Sequence, residues 1–223
     1  MSQILVTEDG SHTIFIPELN ETYHSIHGAI QESTHVYIER GLHYAVQRDQ
    51  AQRIRIFELG FGTGLNALLS ANYAESQGVL VEFESIEAFP LDDEMSMKLN
   101  YPERIPGAKS DHLFQKILES PWNHKYDITP NFMLTKHHVK IQDYSTSGIF
   151  DICFFDAFAP SKQAEIWEFP ILEKMHSLLS KKGIFVTYCA KGQLKRDLKT
   201  LGFEVESLPG PPGKFQMVRA TKI

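Results

Sequence analysis

Apolar residues along this 223-residue chain follow two alternating periods. Short runs rich in Val, Ile and Phe predict strands, and stretches with apolar residues every three or four positions predict amphipathic helices. RIRIFEL predicts a strand, and LNALLSANYAES a helix with Leu65, Leu68, Leu69 and Tyr73 on one face. GVLVEFESIEA predicts a second strand. LDDEMSMKLN and KSDHLFQKILES predict helices, the latter closed by Pro121. FMLTKHHVKI and the nearly all-apolar FDICFFDAF predict two more strands. EIWEFPILEKMHSLLS predicts a helix that Pro170 must begin or kink. KGIFVTYCA is a further strand and KGQLKRDLKTLG a helix closed by Gly202. FEVESL and KFQMVRATKI form a closing strand pair around the rigid loop PGPPG.

The first fifty residues read differently. VTEDGSHTIFIPEL predicts a hairpin turning at Asp9-Gly10. The stretch from Glu21 to Val46 is mixed and ends in a helix, from the spacing of Val36, Ile38, Leu42 and Val46. Strands alternating with helices imply an α/β fold, with a mainly parallel sheet covered on both faces. The closing pair places a hairpin at one edge, which resembles the seven-stranded mixed, Rossmann-like sheet of class I methyltransferases.

Composition adds bounds. With 42% hydrophobic and 22% charged residues the chain is an ordinary globular one. No apolar run approaches the roughly 18 residues of a membrane span. MSQILVTEDG has no basic region followed by an apolar stretch, so no signal peptide is expected. Cys153 and Cys189 lie in separate apolar runs, so a disulfide framework is not expected and a cytoplasmic setting is. The net charge of −6 is unevenly spread: Lys181 to Ile223 carries nine Lys/Arg against three acids, or +6, leaving −12 elsewhere. Such asymmetry suits one face meeting a polyanion, or simply a solvated helix.

FELGFGTGLNALL carries the first chemical signal. Gly60, Gly62 and Gly64 follow a strand and open a helix, letting the backbone turn tightly and approach a ligand. The pattern E-x-G-x-G-x-G, with Glu58 at the strand end, resembles an S-adenosylmethionine loop. A pyrophosphate would be repelled by that acid, whereas Glu58 can meet an ammonium group or organise the loop. Thr63 and Asn66 complete the expected cofactor contacts. Glu87, closing the next strand, is placed to accept ribose hydroxyls. Asp143 is a candidate acceptor for the adenine amino group, or a turn former before Ser145. In DICFFDAFAP, Asp156 should emerge at the carboxyl end of a central strand, where open α/β sheets bind ligands.

Asp156-Ala-Phe-Ala-Pro resembles the Asp/Asn-Pro-Pro-aromatic loops of amine methyltransferases, which orient a nucleophilic nitrogen through side-chain and backbone acceptors. Phe158 is placed for a cation–π contact with that amine and Pro160 to stiffen the loop. Together ELGFGTGLN, Glu87-Ala-Phe-Pro-Leu, Asp156-Ala-Phe-Ala-Pro, Trp167, TYHSIHGAIQESTHVYI and TYCAKG followed by LPGPPGKFQM resemble the methyltransferase domain of the MnmC family of tRNA 5-methylaminomethyl-2-thiouridine biosynthesis proteins. The resemblance covers nearly the whole chain. It departs at Phe215-Gln216, where the family usually has Arg-Glu.

The resemblance implies residues 51–223 as the methyltransferase domain and 1–50 as a small β-rich extension packed on it, one structural unit. It also implies the stand-alone form without the FAD-dependent domain, a separate partner enzyme making the aminomethyl substrate, and methylation of that nitrogen on the wobble uridine of tRNA. Asp156 is then the expected catalytic acceptor, with Tyr23, His24, Phe158, Tyr188, Lys191 and Lys214 around the substrate. No metal is expected: His137 and His138 point to opposite faces of a strand, and His24 and His27 have no acid or cysteine at ligand spacing. A small-molecule amine methyltransferase or aminopropyltransferase-like enzyme, and a non-catalytic adenosyl-ligand binding module, are the competing readings.

Overall fold

The computed structural model describes residues 2–105 and 110–223. The chain opens as β1 (Gln3–Val6), β2 (His12–Ile16) and β3 (Glu21–Thr22), a small antiparallel sheet. The expected hairpin forms, with Gly10 at φ 79° in its turn. The Asp9 carboxylate accepts from Thr7 Oγ1 at 2.7 Å, the Ser11 amide at 2.9 Å and the Gln31 amide at 3.0 Å, tying the turn to the following helix.

The helix expected at the end of this stretch forms and is long enough to make the extension less β-rich than expected. An unbroken helical run combines α1 (Ala29–Ser33), a π-helical segment Thr34–His43 and α2 (Tyr44–Asp49). Val36, Tyr37, Ile38, Leu42, Ala45 and Val46 are all buried along it. Thr34, Val36 and Ile38 are β-branched, and burial overrides their propensity. These residues share one hydrophobic cluster with Ile54, Ile56, Phe83 and Phe154 of the main sheet.

Next come β4 (Arg53–Leu59), α3 (Leu65–Gln77), β5 (Leu80–Glu87), the single turns α4 (Asp93–Ser96) and α5 (Tyr101–Arg104), and α6 (Ser110–Glu119). The helix expected over Leu91–Asn100 is thus reduced to one turn, and Lys109, expected to begin the next, lies outside the described residues. Then follow β6 (Lys125–Thr129), β7 (Phe132–His138), β8 (Phe150–Phe155), a 3-10 turn Ala164–Trp167, α7 (Phe169–Leu178), β9 (Leu179–Thr187), α8 (Gly192–Thr200), β10 (Phe203–Pro209) and β11 (Gln216–Lys222). Pro170 sits in the first turn of α7, where its missing N–H costs nothing.

The sheet has eight strands rather than seven, in the order β10-β11-β9-β8-β4-β5-β7-β6. β9, β8, β4, β5 and β7 are parallel, while β11, β10 and β6 run antiparallel to their neighbours. The extra strand is β6, whose Lys125, Tyr126 and Asp127 are exposed and so give no apolar alternation. Side chains of β8 alternate between the faces: Ile152 and Phe154 meet α3 and the N-terminal helix, Cys153 and Phe155 meet α7 and α8. From β4 the chain proceeds to β5 on one side, and β8 lies on the other. Their carboxyl ends diverge at this switch point and open a crevice.

Candidate functional site

The loop from β4 to α3 lines a cavity of about 520 Å³, within the range of small-molecule sites. Gly60 has φ 96°, and a Cβ there would stand 2.6 Å from the Asp156 carbonyl oxygen. The loop can pass the end of β8 only without a side chain. Gly62, at φ 50°, lies under the Tyr23 ring, 3.0 Å from where its Cβ would be. Backbone amides pin the loop to β5: Gly60 and Phe61 donate to the Ile86 carbonyl at 3.0 and 3.1 Å, and Gly62 donates to Glu87 Oε2 at 3.0 Å. Glu87 Oε1 accepts the Phe89 amide at 2.9 Å. Gly64 caps α3 with φ 77°, behind the lining, while Thr63 and Asn66 line the cavity. The glycine floor and the carboxylate of Glu87 beside it fit an adenosyl amino acid.

Asp156 stands at the mouth of β8 and lines the same cavity. Tyr37 Oη donates to its Oδ1 at 2.7 Å and Asn66 Nδ2 to its Oδ2 at 2.8 Å. Burial pushes its pKa up to about 7, against the lowering effect of these two donors. The carboxylate is therefore oriented from two sides and titrates near neutrality. Two carbonyls of the loop are clamped by side chains: Tyr188 Oη donates to that of Ala157 at 2.7 Å and Trp167 Nε1 to that of Phe158 at 2.8 Å. These clamps stiffen the loop, and the Asp156 side chain is an acceptor on the cavity lining. Phe158 packs edge-on against Tyr23 with ring centroids 5.1 Å apart, so the two rings form one aromatic wall.

Glu58 lies behind the loop, not in the cavity lining. It is 1% exposed, and its Oε2 accepts Ser85 Oγ at 2.6 Å. Burial raises its pKa well above the usual carboxylate range, against the lowering effect of the Ser85 hydroxyl. It cannot meet a ligand's ammonium group from this position; of the two roles considered for it, organising the loop is the one its location allows. Its Oε1 and the Asn66 Oδ1 are both buried without a hydrogen-bond partner among the described residues.

Asp143 is also outside the cavity. The chain turns there, with the Asp143 and Tyr144 amides donating to the Lys140 carbonyl at 3.0 Å each, and Asp143 faces solvent. Ile141 and Val139 take the lining positions instead, so an apolar surface stands where an acceptor was expected. His24 is buried and lines the cavity, its pKa lowered to about 4 by burial, so the ring is neutral. Tyr188 and Lys214 line it too. Lys214 Nζ lies 4.6 Å from the Tyr188 ring centroid and pairs with the buried Glu32. Lys191 is exposed and away from the lining. Sequence reasoning missed Tyr37 and Glu32. A Tyr inside an apolar run needs a partner for its hydroxyl, which was the available signal for Tyr37.

The positive C-terminal segment does not act as one face. Lys181 and Lys182 sit at the amino end of β9, remote from the carboxyl ends that bear the cavity. Lys222 lies at that same end and donates to the His176 and Leu179 carbonyls at 2.8 and 2.7 Å. Arg219 is paired with Glu206 at 2.9 Å and lies over the Tyr44 ring. Antiparallel β11 carries its charges away from the mouth, so of the segment only Lys191, Lys195 and Arg196, near the start of α8, and Lys214 belong to the cavity side.

A family model described as S-adenosyl-L-methionine-dependent methyltransferase matches residues 112–223, half of the chain. The chain belongs to this family. The methyltransferase is 31% identical over 212 residues to the tRNA 5-methylaminomethyl-2-thiouridine biosynthesis bifunctional protein MnmC of Leptospira interrogans serovar copenhageni, covering 90% of this chain and 32% of that one. It is 27% identical to the MnmC of Actinobacillus pleuropneumoniae serotype 5b, covering 96% and 34%. The crystal structure of MNMC2 from Aquifex aeolicus superposes with a TM-score of 0.80 at 27% identity, over 99% of this chain and 70% of that one. The chain thus spans a quarter to a third of the length of the curated relatives. The expected α/β methyltransferase fold and S-adenosylmethionine as cofactor stand. No helix among the described residues is long and apolar enough to cross a membrane.

Proposed function

We propose that this methyltransferase methylates the nitrogen of a 5-aminomethyl group on the wobble uridine, or 2-thiouridine, of tRNA. The observation that carries the reading is Asp156: a carboxylate held by Tyr37 and Asn66 beside the glycine loop, with a pKa of about 7. An attacking amine must be neutral and aligned, and the proton it sheds needs an acceptor. When bound, S-adenosylmethionine supplies the methyl group, the C–S bond breaking towards sulfur as the N–C bond forms. Ionised Asp156 orients the amine and takes its proton. Gly60, Gly62, Thr63 and Asn66 would hold the cofactor, and the lone pairs that Glu87 retains would accept from its ribose hydroxyls. Tyr23 and Phe158 wall the amine side, and Tyr188 and Lys214 close the pocket. The names and coverage of the relatives support tRNA as the substrate, and a separate enzyme or domain is needed to make the aminomethyl group.

Purified protein, S-adenosylmethionine and tRNA bearing 5-aminomethyl-2-thiouridine test this directly. Nucleoside mass spectrometry should show the wobble nucleoside gain one methyl group. No methylation of tRNA, with turnover of small amines under the same conditions, would move the reading to a small-molecule enzyme.

A further inference from the structure

Two aromatic side chains at the cavity mouth have no role in the site described above. Phe215 is 93% exposed and Phe89 is 68% exposed. Phe215 is presented by an ordered loop: the Gly210 amide donates to its carbonyl at 3.1 Å, and the Lys214 amide donates to Pro211 at 2.9 Å. The loop is anchored further by the His35 ring on the Pro209 carbonyl at 2.8 Å, and by Gly213, which has φ 81° and packs against His27. Lys214 turns into the cavity while Phe215, the next residue, turns out to solvent. Phe89 stands at the exit of β5, on the cavity lining. In the sheet β5 and β11 are four strand spacings apart, about 19 Å at ~4.8 Å each. The two rings therefore bracket the mouth from opposite sides.

We propose that Phe215 is a stacking platform for an unpaired base next to the target nucleotide in a nucleic-acid loop, with Phe89 serving the base on the other side. The inference rests on the reading of the substrate as RNA. A base that reaches Asp156 has left its stack, and each neighbour loses a π-face that an aromatic side chain can replace. A protein partner calls for a contiguous apolar patch. Here Phe215 stands between Lys214 and Gln216, and Lys195 of α8 reaches the Gln216 side chain at 3.5 Å, a cationic setting that suits bases and phosphates.

The test is the KM for tRNA in the methyl-transfer assay with Phe215→Ala, Phe215→Leu and Phe215→Trp. Stacking on one base predicts a rise of roughly 5- to 100-fold for Ala, little relief by Leu, and recovery by Trp. The kcat at saturating tRNA and the S-adenosylmethionine affinity by calorimetry should stay unchanged. An unchanged KM in the Ala variant, or equal recovery by Leu and Trp, overturns the platform and leaves the ring to a protein partner. Wild type that methylates no tRNA overturns the substrate reading itself, a result visible before any variant is compared.

Discussion

Asp156→Asn should make the protein more stable at alkaline pH while removing its activity. The carboxyl ionises near pH 7 in the fold against an ordinary value of 3.8, so the folded state holds a proton that the unfolded chain has released across that interval. A carboxyl with a raised pKa gives stability that is fully present below about pH 4 and lost as pH rises through 7. At about 1.36 kcal/mol per pKa step the total loss is roughly 4 kcal/mol, of which roughly 2–3 falls between pH 5 and 8. The amide cannot ionise and keeps an acceptor for Tyr37 Oη. It disturbs the bond from Asn66, at a cost of about 1 kcal/mol, leaving a net gain on the order of 3 kcal/mol at pH 8. Denaturant unfolding of both proteins at pH 5 and pH 8 reads the effect. The stability difference should grow in favour of Asn by roughly 2–3 kcal/mol between the two pH values. Turnover should fall about 10²–10⁴-fold with S-adenosylmethionine affinity largely kept. A stability difference independent of pH would refute the claim that the fold holds this carboxyl against ionisation.

Tyr37→Phe removes a donor to the ionised form of Asp156, so the pKa rises further; the ascending limb of the pH–rate profile should move to higher pH, with the largest rate loss near neutrality. The partition of basic residues predicts that Lys181, Lys182 and Lys222 changed together to Ser leave the salt dependence of tRNA binding intact. Lys191 and Arg196 changed to Ser should lower the log–log slope by about one for each phosphate no longer neutralised, measured by filter binding across salt concentrations.

Much of this protein was legible along the chain because its determinants are local. The alternating run of β5, the apolar runs of β4 and β8 and the helical spacing of α3 depend on neighbouring residues alone, as do the turn at Asp9-Gly10 and the glycine positions of the β4–α3 loop. Gly60 was readable as a backbone requirement, and Asp156 as the end of a buried strand. The nature of Glu58 was not: its raised pKa comes from exclusion of water, against the Ser85 hydroxyl that donates to it from β5, and neither appears in E-x-G-x-G-x-G. Asp143 sits in the right stretch, yet a turn through Lys140 faces it outward and puts Ile141 in the wall. β6 escaped notice because an edge strand with exposed side chains needs no apolar alternation. The run of positive charge from Lys181 was real in the sequence, but Lys181 and Lys182 at the amino end of β9 and Lys222 at the end of antiparallel β11 lie at the far end of the sheet. Tyr37, more than a hundred positions from Asp156, reaches that carboxylate only because its helix packs on the sheet. Local periodicity set the elements; long-range packing, through burial and hydrogen-bond partners, decided which of their polar residues are charged, which are neutral, and which face the ligand.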